Sequence, residues 1–146
     1  MKKQILDHCK LVVDEKITSL KKYLKDLQDS ANEDSKSAMG DKYETGRAMV
    51  QLEQENLMAR FDELIAQQEL LATISTSKTD IIQSGSLVTL DTGLFFIATG
   101  LGKIEMNDLT LFAVAPNSPI GQKLLGKSEG EQFELNGRQY TISKVE

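Results

Sequence analysis

Two carboxylates three residues apart, Asp41 and Glu44 in the stretch SAMGDKYETGR, have the type and spacing to do chemistry. Hard carboxylate oxygens suit Mg²⁺, which keeps several waters and takes only one or two protein carboxylates. In a two-metal centre, such ligands help stabilise the attacking and leaving oxygens of a phosphoryl transfer. The same spacing is also a capping box, with Asp41 as the N-cap of a helix and Glu44 reaching back from its third position. The local sequence admits both, because a capping carboxylate still has lone pairs to offer. Glu33 and Asp34 lie close by and read as solvated loop charges.

Other reactive residue types lead nowhere so direct. His8 and Cys9 are adjacent, and on a helix neighbours point about 100° apart, so they cannot share a proton as a nucleophilic dyad. Lys21, Lys22 and Lys25 form a cluster that reads either as a solvated helix face or as a contact to RNA phosphates. The glycines at 100, 102, 121, 126 and 130 match neither a P-loop nor a dinucleotide fingerprint.

These residues sit in a chain of 146, long enough for one ordinary domain or two small ones. Its 40% apolar and 27% charged residues describe a folded rather than a disordered protein. No apolar run approaches the roughly 18 residues that cross a bilayer, and MKKQILDHCK lacks the apolar region of a secretory signal. No membrane association is expected. A single cysteine cannot form an internal disulfide and fits a reducing cytoplasm. The net charge of −5 is uneven: residues 1–30 carry seven lysines and five acids, and each later segment is net acidic. Non-specific binding of duplex DNA needs a broad basic face, which is not expected of a chain this acidic, although the lysine-rich first helix could lie beside a nucleic acid over a short length.

The elements that must position the carboxylates can be read from periodicity. Leu6, Val13, Leu20 and Leu27 recur every seven residues, with Ile17, Leu24 and Ala31 between them. Val50, Leu57, Leu64 and Leu71 repeat the pattern, interleaved with Gln54, Phe61 and Gln68. Two heptad stripes joined by a short polar segment predict an antiparallel coiled-coil hairpin over residues 1–76 with an acidic tip, about 40 Å long at 1.5 Å per residue. Residues 75–86 read as a polar linker interrupted by two isoleucines. After it, SLVTLD, LFFIAT, LTLFAVA, EQFEL and RQYTISKV alternate as strands, the last two around the hairpin signal Asn136-Gly137. In NSPIGQKLLGK, Ser118 can serve as N-cap, Pro119 as first helical residue and Gly126 as the left-handed stop of one short helix. The fold class is therefore α+β, with a small antiparallel sheet domain and one short helix over residues 77–146.

Gly40-Asp41-x-x-Glu44 in the predicted tip, and Asn117-Ser118-Pro119-Ile120 followed by Leu124-Leu125-Gly126-Lys127, resemble the bacterial Gre family of transcript-cleavage factors. The resemblance follows nearly the whole chain in order and spacing and is sharpest over residues 116–145. It implies an FKBP-like C-terminal domain that docks on RNA polymerase beside its secondary channel, and a hairpin that enters the channel. Asp41 and Glu44 would then be tip acids that help hold a second Mg²⁺ at the polymerase catalytic centre, where the polymerase hydrolyses backtracked RNA. Asn117, Ser118 and Pro119 would belong to the docking loop, and Lys21, Lys22 and Lys25 could meet transcript RNA in the channel. On this resemblance the chain is a monomer and not itself an enzyme, and the isolated protein holds Mg²⁺ weakly.

The resemblance breaks after Glu44. The family usually continues with a run like Asn-Ala-Glu-Tyr, and here it is Thr45-Gly46-Arg47-Ala48. A related reading is therefore a Gre-like regulator that enters the channel without promoting cleavage. Two further classes remain: a peptidyl-prolyl isomerase, suggested by fold analogy but lacking tryptophan and poor in aromatics, and a coiled-coil adaptor with no catalytic consequence.

Overall fold

The computed structural model describes the backbone of residues 1–37 and 41–146, and the side chains of residues 1–30 and 46–146. Among the described residues the chain forms three helices and six strands. Helix α1 spans Lys2–Ser37 and α2 spans Asp41–Thr73; strands β1 (Leu87–Leu90), β2 (Gly93–Ile97), β3 (Gly102–Met106) and β4 (Leu109–Val114) follow. The short helix α3 (Pro119–Leu124) precedes β5 (Gln132–Leu135) and β6 (Arg138–Val145). The α+β class and its order, two long helices and then a sheet with one short helix, are as the periodicity predicts. No helix among the described residues is long and apolar enough to cross a membrane.

The chain divides into two compact units, Val12–Gln68 on the one hand and Met1–Leu11 with Glu69–Glu146 on the other. In the first unit the helices run antiparallel. Tyr23 Oη donates to Glu53 Oε1 at 2.9 Å, while Gln68 Nε2 donates to Asp14 Oδ1 at 2.8 Å, so partners descend along α2 as they ascend along α1. Val13, Ile17 and Leu64 of the heptad stripes are buried, whereas Leu20, Leu24, Leu27, Leu57 and Phe61 are half-buried. Two helices alone cover one side of each stripe and leave its flanks to water.

In the second unit the six strands form one sheet in the order β3-β4-β2-β1-β6-β5. Every pairing is antiparallel except β2 with β4, which is parallel in the register Phe96 opposite Ala113. Two features of this sheet are weak in the sequence. Strand β3 has Lys103 and Glu105 on alternate positions and little β-branched character, and its hairpin with β4 turns on Asn107 and Asp108 at φ 47° and 64°. The β5–β6 hairpin makes the same kind of turn with Asn136 and Gly137 at φ 53° and 78°. Both are the left-handed pairs that match strand twist, but only the second has the glycine that advertises it. The parallel pair follows because β3 folds back on the outer side of β4, so β4 must run alongside β2.

Strand alternation gives the sheet two apolar faces. Val88, Leu90, Ile97, Ile142 and Val145 gather on one face with Ile82 and Phe133, covered by Leu124 of α3. Leu87, Phe96, Ala98, Leu111 and Ala113 have the opposite parity and are equally buried. Ile5, Leu6, Cys9 and Leu71 at the helix ends are buried as well and belong to the same compact unit. The segment between α2 and β1 is tied down as well. Ile82 is core, Gly85 N donates to Ile97 O at 2.7 Å, and Ile82 N donates to Lys127 O at 2.9 Å. Gly85 adopts φ +95°, and a Cβ there would lie 2.5 Å from Ser75 O, so no larger residue fits.

Candidate functional site

The best-built surface feature is the turn that starts α3. Ser118 is its N-cap, with φ −70° and ψ 160°, and its Oγ accepts from Gly121 N at 3.1 Å. The same hydroxyl donates to Ala115 O at 2.6 Å, and Ser118 N donates to that oxygen at 3.1 Å. Pro119 occupies the first helical position, where its missing N–H costs nothing. Gln122 Nε2 donates to Asn117 O at 3.0 Å, closing the turn from the other side. At the far end, Gly126 takes φ +82° and donates its N–H to Ile82 O, anchoring the helix to the core. Asn117 and Pro119 stand exposed on this braced frame. With no titratable group among its three residues, the turn can recognise a partner but cannot itself carry out proton transfer or nucleophilic attack.

The helix pair presents the remaining candidates. Lys21 and Lys25 are exposed and line one groove of about 520 Å³ with Leu24, Gln28, Met58 and Phe61, and Lys21 Nζ lies 5.9 Å from the Phe61 ring centroid. Lys22 is exposed outside that groove. Asp41 and Glu44 belong to the first turn of α2, one helical turn apart, and their side chains lie outside the described residues, as do those of Glu33 and Asp34. Arg47 follows one turn later and is exposed. Among the described residues no group of three or more His, Cys, Asp or Glu could hold a metal ion. The tip residues and the α3 turn fall in different compact units.

No protein-family model matches the chain, and no curated protein matches it. Solved structures do. The transcription factor Gfh1 matches at 16% identity over 94% of this chain and 92% of that one, with a TM-score of 0.38. The GreA factor homolog 1 (Gfh1) protein of Thermus thermophilus matches at 16% identity over 94% of each chain, with a TM-score of 0.36.

Two further reactive groups are held toward their protonated forms. Cys9 is fully buried, and desolvation pushes its thiol up to about 11, so it stays protonated and non-nucleophilic near neutral pH. Tyr23 is pushed above the usual tyrosine range, first by its hydrogen bond to Glu53 and then by that carboxylate's charge. Two contributors to the site escape a reading of the sequence. Gly121 leaves no room for a side chain, since a Cβ would lie 2.1 Å from Ala115 O and 2.8 Å from Pro116 O. Gln122 braces Asn117 from five residues away. The spacing Ser118-x-x-Gly121 hints at the capping bond, but the close approach of the preceding turn is purely tertiary.

Proposed function

We propose that this chain is a bacterial RNA polymerase-binding elongation factor that docks through its sheet unit and brings Asp41 and Glu44 into the secondary channel to stimulate cleavage of backtracked RNA. One observation carries the reading. Two long helices with an acid pair in the first turn of the second precede a sheet whose short helix is opened by a braced, exposed Asn117-Ser118-Pro119 turn. On this reading the α3 turn supplies the docking contact, and its rigidity limits the ordering entropy lost on binding. Lys21, Lys22 and Lys25 meet transcript RNA as point charges, with Phe61 and Met58 giving the groove an apolar floor. The chain itself is no enzyme, acts as a monomer in the cytoplasm, and borrows the polymerase's catalytic centre.

The donor set fits Mg²⁺, being two hard carboxylates one turn apart, too few to hold the ion without further ligands. Asp41 and Glu44 would hold it, the polymerase completing its coordination. The ion supplies, when bound, water polarisation and charge neutralisation at a phosphoryl centre. Asp41→Asn with Glu44→Gln tests the reading, because both substitutions keep capping ability while removing charge. Polymerase affinity should persist while cleavage in stalled, backtracked complexes falls at least about tenfold, some 1.4 kcal/mol in the barrier. Unchanged cleavage with a lowered melting temperature would reduce the pair to a cap.

A second reading is channel entry without cleavage, favoured by Arg47, whose guanidinium follows Glu44 by one helical turn. If the unaltered chain blocks the channel but stimulates no cleavage, Arg47→Tyr is the substitution expected to restore it.

A further inference from the structure

Four lysines from three distant stretches of chain meet around one cavity. Lys2 and Lys3 come from the start of α1, Lys78 from the segment before β1, and Lys144 from the end of β6. Together with the Thr76 segment they line a space of about 540 Å³, a size that takes a small ligand. We propose that this cavity is a binding site for a small polyphosphate anion, either free inorganic polyphosphate or the phosphate chain of a nucleotide.

Lys2 is the anchor. It is only 8% exposed, and its ammonium donates to Ser77 O at 2.7 Å and Glu146 O at 3.0 Å. An ammonium has three donors, so one remains for a ligand. Burial holds Lys2 below the usual lysine range against the opposing pull of Glu146, and an anion in the cavity would relieve that desolvation cost. The lining is not uniformly basic. Glu129 and Glu146 also face the cavity, and Lys144 Nζ lies 3.4 Å from Glu146 Oε1. Four lysines against two glutamates leave a surplus that Lys3 and Lys78, both exposed, carry at the rim. A monoanion gains little from exposed ammonium groups, whereas several charges on one ligand engage them together.

The backbone adds to the same field. The first turn of α1 carries no acidic residue, so nothing in it offsets the positive end of a 36-residue helix. Phosphate is favoured over a planar carboxylate by the donors themselves. The lining has no guanidinium fork, and separated ammonium point charges suit oxygens spread around a phosphorus. This site is independent of the tip and of the α3 turn, and its occupancy requires no polymerase.

The intact chain, titrated with inorganic tripolyphosphate at low ionic strength, should show amide shifts confined to residues 1–3, 76–78, 129 and 144–146. Its melting temperature should rise with ligand concentration. Lys3→Gln with Lys78→Gln should weaken binding about tenfold or more, whereas Lys103→Gln, exposed on β3, should leave it unchanged. Tighter binding of a nucleoside triphosphate than of tripolyphosphate would assign the site to nucleotides, and equal binding to the phosphate chain alone. No shift at millimolar tripolyphosphate, or affinity indifferent to the Lys3 and Lys78 changes, would overturn the proposal. So would capture of a polyglutamate peptide by a chain that ignores tripolyphosphate.

Discussion

At the scale of single residues, the α3 turn shows how one hydroxyl can hold a surface in shape. Ser118 Oγ both accepts from Gly121 N and donates to Ala115 O, so its loss frees the Gly121 N–H and leaves Ala115 O only the bond from Ser118 N. Ser118→Ala should cost about 1 kcal/mol in urea unfolding, the usual loss for an N-cap. Gly121→Ala should cost more, about 1–3 kcal/mol, because the new methyl would press on the main-chain oxygens of Ala115 and Pro116. If Asn117 and Pro119 dock on a partner, Gly121→Ala should also weaken that binding while leaving both contact residues unchanged. A Gly121→Ala chain of full stability would mean that the turn yields easily and frames nothing.

At the scale of elements, the β3–β4 hairpin is the place where the chain adopts a shape its residues only tolerate. Asp108 takes φ 64°, a region where an ordinary side chain is strained and glycine is not. Asp108→Gly should therefore stabilise the sheet unit by several tenths of a kcal/mol, up to about 1, read as a higher urea midpoint with unchanged slope. The helix pair makes the opposite case. Leu64 is 4% exposed at the centre of its stripe, and Leu64→Ala should cost about 2–4 kcal/mol. That loss should appear as faster amide exchange along residues 12–30 and 46–68, with β1 and β6 of the other unit little affected. Uniform exchange throughout the chain would instead join the two units into one cooperative block.

At the scale of the whole molecule, the helix ends and the sheet form one compact unit. Residues 77–146 alone would lack Ile5, Leu6, Cys9 and Leu71, four buried apolar side chains of that unit. That fragment should aggregate or bind hydrophobic dyes, and adding residues 1–11 as a peptide should partly restore its fold. The same burial makes stability depend on pH. The folded chain keeps the Cys9 proton up to about pH 11, whereas an unfolded thiol releases it near 9.0. Its contribution is complete below about pH 9 and is lost as pH rises toward 11, at about 1.4 kcal/mol per unit. Lys2 runs the other way: its value is lowered on folding, so its share of stability grows as pH climbs toward 10.5. Cys9→Ala should flatten the alkaline loss in urea midpoints measured between pH 8 and 10.5. An unaltered slope would mean that the thiol is hydrated in the native state.

What depends on near neighbours is legible in the order of the residues alone. Heptad spacing set the two long helices, because residues three and four apart share a face whatever else surrounds them. Ser118, Pro119 and Gly126 marked the limits of α3, and Asn136-Gly137 marked a hairpin, because caps and turns are decided within a few bonds. The acid pair at 41 and 44 was likewise visible as a pair, with two possible roles. What depends on distant partners emerges with the fold. It made β3 a strand, since pairing with β4 outweighed the weak propensity of Lys103 and Glu105. Ile82 became core while its neighbour Ile81 remained exposed. Lys2, in the basic stretch that opens the chain, was buried against main-chain oxygens of residues 77 and 146. No local pattern can foretell such a site, because the groups that stabilise its charge lie 75 and 144 residues away.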